Sequence, residues 1–180
     1  KEVLLKGAKI YPKSFEEIGD KIIRKEKPDA VVHLAGIPLE KPENFEFSLK
    51  QLTQDIAMTY HVVKSVKENN IKKFVFMSSI SAYGDCEDTI KESRSLLPKT
   101  PYGVTKAAGE YIVTSELPNW NIVRTTNIYG FGDMNGRASN IILNKIIKGD
   151  KFWVNSDITM DFTYVVDLVS GIATILKSSH

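Results

Sequence analysis

Three side chains near the middle of the sequence have the types and spacing for acid–base chemistry on an alcohol. Tyr102 and Lys106 stand four positions apart, and Ser79 follows a short apolar run that begins at Phe74. In a helix, residues i and i+4 share one face, so the Lys106 ammonium would lie beside the Tyr102 phenol. The pKa of a free tyrosine is about 10, and a neighbouring positive charge favours the phenolate. We therefore expect oxidation of an alcohol or reduction of a ketone, with a carrier that takes the hydride.

The spacing of Tyr102 and Lys106 is not specific by itself, because tyrosine–lysine pairs occur by chance on many solvated helices. The residues before the pair make it more informative. Thr100 is a good N-cap, and Pro101 suits the first position of a helix. Upstream, a predicted strand ends in hydroxyl side chains. The sequence thus predicts that a serine at the end of a strand lies next to the start of the helix that carries Tyr102 and Lys106.

Strand-like and helix-like patterns alternate along the chain. We predict strands over residues 3–5, 30–34, 74–77, 120–125 and 152–155. We predict helices over residues 14–25, 48–69, 102–117, 139–147 and 165–176, and a turn over 129–132. This alternation is typical of an α/β fold with a parallel sheet.

Small and polar residues follow three of the predicted strands. They are Ala35 with Gly36, then Ser79, then Asn127. Ligands of parallel sheets bind beyond the carboxyl ends of the strands, so we expect these residues to lie at the ligand site. We expect His33, inside the first of these strands, to be a core residue. No metal site is predicted, because no second histidine or carboxylate stands near it at ligand spacing.

The composition excludes several classes of function. The chain has 180 residues, enough for one domain, with 42% hydrophobic and 26% charged residues. A net charge of +2 predicts neither a nucleic-acid nor a membrane partner. Cys86 is the one cysteine, so no internal disulfide is expected, and we expect a cytoplasmic protein.

Five stretches of the chain are similar, in order and spacing, to one family. The sequence resembles the extended short-chain dehydrogenase/reductases, or NAD-dependent epimerase/dehydratases. The resemblance rests on Pro28–Gly36, Lys73–Gly84, Pro101–Lys106, Val123–Gly130 and Asp161–Asp167.

The resemblance implies a role for each residue at the expected site. Tyr102 would be the acid/base, Lys106 its partner and the anchor of the cofactor ribose, and Ser79 the hydroxyl that holds the reacting oxygen. Cofactor contacts are implied for Leu34, Ala35, Gly36, Tyr102, Lys106 and Thr125. Substrate contacts are implied for Ser79, Ser81 and Asn127. The implied cofactor is NAD or NADP and the implied substrate a sugar nucleotide; a homodimer is implied by resemblance alone.

The same resemblance implies that the chain is a fragment. Residues 1–180 would form a partial NAD(P)-binding domain, Rossmann-like with a doubly wound parallel sheet, in which 127–164 contribute to the substrate side. The sequence contains no G-x-G-x-x-G. The N-terminal strand–helix units that carry the glycine-rich loop, and a C-terminal substrate region, would be missing. We expect this chain alone to be inactive.

Three residues depart from the family's usual pattern. Ala8 stands where an aspartate often meets the adenine, and Asp55 where an asparagine is usual. Met160 replaces an arginine that often grips the phosphate of a nucleotide sugar. The expected enzyme is an epimerase, a dehydratase or a reductase. The alternative is a non-catalytic relative that keeps the fold as a dinucleotide sensor or scaffold.

Overall fold

The computed structural model describes residues 7–11, 15–36, 49–86, 88–131, 138–153 and 159–178. Within these ranges the helices are α1 (Phe15–Glu26), α2 (Leu49–Glu68), α3 (Pro101–Glu116), α4 (Ala138–Lys148) and α5 (Val165–Lys177). The strands are β1 (Ala30–His33), β2 (Lys73–Ser79), β3 (Asn121–Thr125), β4 (Asn127–Tyr129) and β5 (Phe162–Tyr164). A short 3₁₀ helix, Ile80–Tyr83, follows β2.

The larger sheet has β2 at its centre, with β1 and β3 on either side in parallel. Ala30 of β1 is in register with Lys73, and Ser79 at the end of β2 is in register with Thr125 at the end of β3. The carboxyl ends of parallel strands meet at one edge of a sheet. This register therefore places Ser79 and Thr125 side by side at that edge. The predicted α/β class with a parallel sheet is confirmed.

A hydrophobic cluster joins β2 to helices α2 and α3. Its buried members are Val62, Val63, Val66, Phe74, Phe76, Val113 and Leu117. Phe74 and Phe76 alternate along β2, so both rings point to the same face of the sheet and are buried there. Burial of such a ring contributes about 1.5–3 kcal/mol. The cluster fixes the position of α3, which carries Tyr102, relative to β2, which carries Ser79.

Helix α3 lies against the Phe76 ring at Gly109. A Cβ placed on Gly109 would be only 2.4 Å from Phe76 Cζ. We expect Gly109→Ala to destabilise the protein by about 1–3 kcal/mol, because the buried ring has to move. The matched control is Gly171→Ala in α5, where a Cβ would meet nothing within 4 Å. It should stabilise by about 0.5–1 kcal/mol through helix propensity. Urea unfolding checks both, and equal effects of the two exchanges would contradict this packing.

The short second sheet differs from the sequence-based expectation. Strands β4 and β5 pair in parallel over three residues each, and neither was predicted. Tyr129 was expected in a turn but ends β4. Segments this short and half exposed carry too few residues to show a periodicity.

One further strand prediction is wrong, and three predictions fall wholly or partly outside the described residues. The strand predicted over 152–155 is wrong at Phe152 and Trp153, which have no regular structure; the Trp153 side chain is fully exposed. The rest of that segment, the strand predicted over 3–5 and the expected helix start at Ser14 lie outside the described residues.

Candidate functional site

The start of helix α3 positions the tyrosine and the lysine. The Thr100 hydroxyl accepts a hydrogen bond of 3.1 Å from the Gly103 amide, and Pro101 is the first helical residue. Tyr102 therefore lies in the first turn and Lys106 one turn later. Lys106 Nζ is 5.5 Å from the centroid of the Tyr102 ring. The ammonium and the phenol ring lie beside each other.

The carboxyl end of β2 brings two serines to the same helix start. Ser79 caps the 3₁₀ helix: its Oγ accepts a hydrogen bond from the Ser81 amide at 3.2 Å and donates one to Ser81 Oγ at 3.2 Å. A Cβ on Gly103 would lie 2.3 Å from the Ser81 carbonyl oxygen. Only glycine lets the first turn of α3 approach this carbonyl so closely. Ser79 and Ser81 consequently sit next to the turn that carries Tyr102.

The backbone after β1 passes over the lysine. Leu34, Ala35 and Gly36 are exposed. A Cβ placed on Gly36 would be 3.5 Å from Lys106 Nζ and 3.8 Å from Asp55 Oδ1. A side chain at this position would fill the space directly over the ammonium, and glycine leaves it open to a ligand.

The remaining expected site residues lie on β3 and β4. Thr125 ends β3 beside Ser79. Asn127 begins β4, where its amide donates a hydrogen bond of 3.3 Å to the Asp161 carbonyl. The structure thus brings Gly36 to Lys106, and Ser79 to Ser81 and Thr125. Asn127 lies two residues beyond Thr125, on the smaller sheet.

The Lys106 ammonium and the neighbouring His33 imidazole are both deeply buried. Lys106 is 5% and His33 is 4% exposed. Burial lowers the pKa of Lys106, while the Asp55 carboxylate acts to raise it. Burial, reinforced by the charge of Lys106, lowers the pKa of His33 to about 4. His33 Nε2 lies 3.2 Å from Thr59 Oγ1. His33 is a core residue, as expected, and is neutral at physiological pH.

The buried His33 should make stability sensitive to acid. Its pKa is about 4 when folded and 6.5 in the unfolded chain, so its contribution is complete above pH 6.5 and is lost as the pH falls through 4. We expect roughly 3 kcal/mol to be lost from this group. Urea unfolding across this range should give a flatter pH dependence for His33→Gln than for the parent. The control His61→Gln, at an exposed position of α2, should leave the slope of the parent unchanged.

A partly buried ion pair behind the site was not predicted from the sequence. Arg124 of β3 contacts both carboxylate oxygens of Glu110 of α3, at 2.9 Å from Nε and 2.6 Å from Nη2. The Ser78 hydroxyl donates a hydrogen bond of 2.5 Å to the same carboxylate. These contacts raise the pKa of Arg124, chiefly through Glu110. The sequence signals available were a glutamate four residues after Lys106 and an arginine inside a strand, and neither of them identifies the other as its partner.

The same arginine also holds the segment after the 3₁₀ helix. Arg124 Nη1 donates a hydrogen bond of 2.6 Å to the Tyr83 hydroxyl and one of 2.9 Å to the Glu92 carbonyl. Within the described part of residues 85–99, Arg94 pairs with Asp88 at 2.6 Å. Arg124 therefore ties β3, α3, the 3₁₀ helix and this loop together.

Comparison with known proteins assigns the family. The sequence model described as "NAD dependent epimerase/dehydratase family" matches residues 16–180. The chain belongs to this family. The resemblance drawn from the five sequence stretches is confirmed.

The curated relatives in this epimerase/dehydratase family are longer than the chain. UDP-glucose 4-epimerase of Lactobacillus helveticus is 30% identical over 181 aligned positions, covering 90% of this chain and 54% of that protein. A Bacillus subtilis protein described as "Uncharacterized UDP-glucose epimerase YtcB" is 28% identical over 158 positions, covering 84% and 50%. The chain spans about half the length of the curated relatives it matches.

Solved structures of similar proteins agree with the fold. UDP-glucuronic acid 4-epimerase of Bacillus cereus, solved with UDP-glucuronic acid and NAD, has a TM-score of 0.76 and 26% identity, and the match covers 89% of this chain and 52% of that one. The Bordetella bronchiseptica enzyme WbmG, solved with NAD, has a TM-score of 0.83 at 20% identity, with 98% and 56% covered. The Rossmann-like α/β fold is confirmed.

The described residues of this family member fit one half of a dinucleotide. The exposed Ala35–Gly36 backbone and the Lys106 ammonium beneath it offer a hydrogen-bond donor and open space to a ribose. The pyrophosphate half is not assigned to any residue, because the sequence contains no G-x-G-x-x-G. Among the described residues no group of three metal-ligating side chains occurs, and no helix has the length and apolarity to cross a membrane.

Proposed function

We propose that the full-length protein is an NAD-dependent enzyme that epimerises, dehydrates or reduces a sugar nucleotide. One observation carries the proposal: the Lys106 ammonium lies beside the Tyr102 ring and directly under the open backbone at Gly36. This arrangement joins an acid–base group to exposed backbone that a cofactor can approach. The names of the relatives, which include epimerases of UDP-sugars and dTDP-glucose dehydratases, support a nucleotide sugar as the substrate.

The residues of the chain act on one hydroxyl of the sugar. Tyr102 removes its proton, and the neighbouring Lys106 ammonium stabilises the phenolate that accepts it. The Ser79 hydroxyl donates a hydrogen bond to the same sugar oxygen as charge develops on it. NAD held against Lys106 and the Ala35–Gly36 backbone would exchange a hydride with the carbon that bears this oxygen. Tyr102 would return the proton when the hydride is given back, which completes an epimerisation. In a reduction, Tyr102 would donate the proton to the oxygen of a ketone that receives a hydride from reduced cofactor.

The rest of the proposed site lies around these three residues. The cofactor would be faced by Leu34, Ala35, Gly36 and Thr125. The sugar would be faced by Ser81 and Asn127. Residues 127–164 would contribute to the substrate side. Support comes from the register of Thr125 with Ser79 and from the hydrogen bond between Ser79 and Ser81.

A substrate panel with product analysis tests the proposal. Full-length protein is incubated with NAD or NADH and with UDP- and dTDP-hexoses or the corresponding keto-hexoses, and the products are separated and weighed. An epimerase gives a product of unchanged mass and a dehydratase one lighter by one water, both without net NADH. A reductase consumes reduced cofactor in proportion to product. Binding of NAD without turnover of any sugar nucleotide would contradict the enzyme proposal and favour a dinucleotide-sensing relative.

A further inference from the structure

Three ionisable side chains from three elements lie close enough to influence one another's charge. His33 comes from the end of β1, Asp55 from α2 and Lys106 from α3. None of them is more than 6% exposed. Groups that titrate are rarely buried unless they are paired or functional. The proposed chemistry uses Lys106 alone, so the cluster requires a further explanation.

The carboxylate and the ammonium of this cluster lie around one point. That point is the position of a Cβ on Gly36, 3.5 Å from Lys106 Nζ and 3.8 Å from Asp55 Oδ1. The two charges thus flank the same small space from neighbouring helices. Their attraction is weakly screened there, because both side chains are removed from solvent and its ions.

The other groups facing Lys106 do not supply a negative charge. The Phe76 ring of β2 lies 5.3 Å and the Tyr102 ring 5.5 Å from Nζ. His33 packs on Phe76 with 5.6 Å between ring centroids, and its imidazole is neutral at physiological pH. Glu110, one turn along α3, is engaged by Arg124. Among the described residues, the counter-charge of Lys106 is therefore Asp55.

A buried ammonium without a counter-charge is unfavourable and loses its proton at lower pH. The pKa of Lys106 shows both influences, since burial lowers it and the Asp55 carboxylate opposes that effect. The stabilisation of a Tyr102 phenolate requires the charged form of the lysine. Any group that keeps Lys106 charged therefore stabilises the Tyr102 phenolate indirectly, through the lysine.

We propose that Asp55 is a positioning residue for the acid–base pair: its buried carboxylate keeps Lys106 charged and holds its Nζ at the space between Gly36 and Tyr102. The catalytic consequence rests on the proposed function. The charge pairing itself does not, so the two can be tested separately.

Titration of Lys106 tests the pairing without any turnover. Full-length protein is prepared with ¹³C-labelled lysine, and the Lys106 Cε resonance is assigned by its absence in Lys106→Arg. We expect Asp55→Asn to lower the titration midpoint of Lys106 by about 1 pH unit or more. Asp55→Glu, which keeps the charge, should stay near the parent value. The Lys106 midpoint should also stay near the parent value in Asp29→Asn, which removes an exposed carboxylate at the opposite end of β1.

An unchanged midpoint in Asp55→Asn would overturn the proposal, and so would an equal shift in Asp55→Glu, which would indicate packing rather than charge. Thermal unfolding verifies that each variant is folded. If the asparagine variant is not, Asp55→Ser removes the same charge with a smaller side chain and takes its place.

The pH profile of kcat/KM tests the catalytic role. In Asp55→Asn the alkaline limb should move to lower pH by the same interval as the lysine midpoint, with KM for the sugar nucleotide within a few-fold of the parent. A shifted lysine midpoint with an unmoved alkaline limb would overturn the positioning role. Absence of turnover in the parent would count against the proposed function alone, and the lysine titration would still decide the pairing.

Discussion

Replacing Tyr102 with phenylalanine is expected to lower kcat of the full-length protein by about 100- to 10,000-fold, the usual contribution of a positioned acid–base group. The exchange removes one oxygen and leaves the ring that lies 5.5 Å from Lys106 Nζ. Packing around α3 should therefore be retained. Steady-state kinetics with the best sugar nucleotide of the panel measures the effect, and NAD binding should change far less than kcat.

The same helix offers a matched control for this experiment. Tyr111 is 74% exposed on α3, so Tyr111→Phe removes an identical oxygen away from the site. It should leave kcat and stability at the parent values. If Tyr102→Phe retains kcat within a few-fold of the parent while remaining folded, Tyr102 is not the acid–base group, and the chemistry must be assigned to another residue.

The largest expected effect on stability is that of Arg124→Met. It leaves the carboxylate of Glu110 buried, with the Ser78 hydroxyl as a remaining partner. Removing one member of a buried ion pair costs about 3–5 kcal/mol, because the other charge stays desolvated. For a protein of this size we expect a fall in Tm on the order of 10 °C. Thermal and urea unfolding measure both quantities.

Arg94→Met is the matched control for Arg124→Met. Arg94 pairs with Asp88, whose side chain is 72% exposed, and such surface pairs contribute below about 1 kcal/mol. A second comparison uses Glu110→Gln combined with Arg124→Met. Because the double variant removes both charges, it should be less destabilised than the sum of the single exchanges. A small effect of Arg124→Met, no larger than that of Arg94→Met, would show that the Glu110 carboxylate is well solvated without its partner.

The sequence predicted the parts of this structure that depend on local patterns. The apolar run from Phe74 and the Thr100–Pro101 helix start are both local signals, and β2 and α3 follow them closely. The side-by-side placement of Tyr102 and Lys106 came from helix periodicity alone. The roles of these residues stay predictions.

Other features depend on contacts between distant residues and could not be read from neighbouring positions. Asp55 lies near Lys106 because α2 packs on α3, and Glu110 meets Arg124 because α3 packs on β2, the neighbour of β3. Tyr60 shows the limit of a local pattern. It stands at helical spacing from Ile56 and Val63 in α2, yet it is 45% exposed, because a helical repeat fixes only the approximate direction of the buried face.

The hydrogen bond from Arg124 to the loop after the 3₁₀ helix has a consequence for how this protein can diverge. The arginine binds the main-chain carbonyl of Glu92, not its side chain. Every amino acid carries that carbonyl, so the anchor tolerates substitution of the residue it holds. The side chains of the loop can therefore be exchanged by natural variation or by directed evolution while the backbone stays attached to β3. A protein built this way can acquire a new surface on this loop without rebuilding β3 or α3.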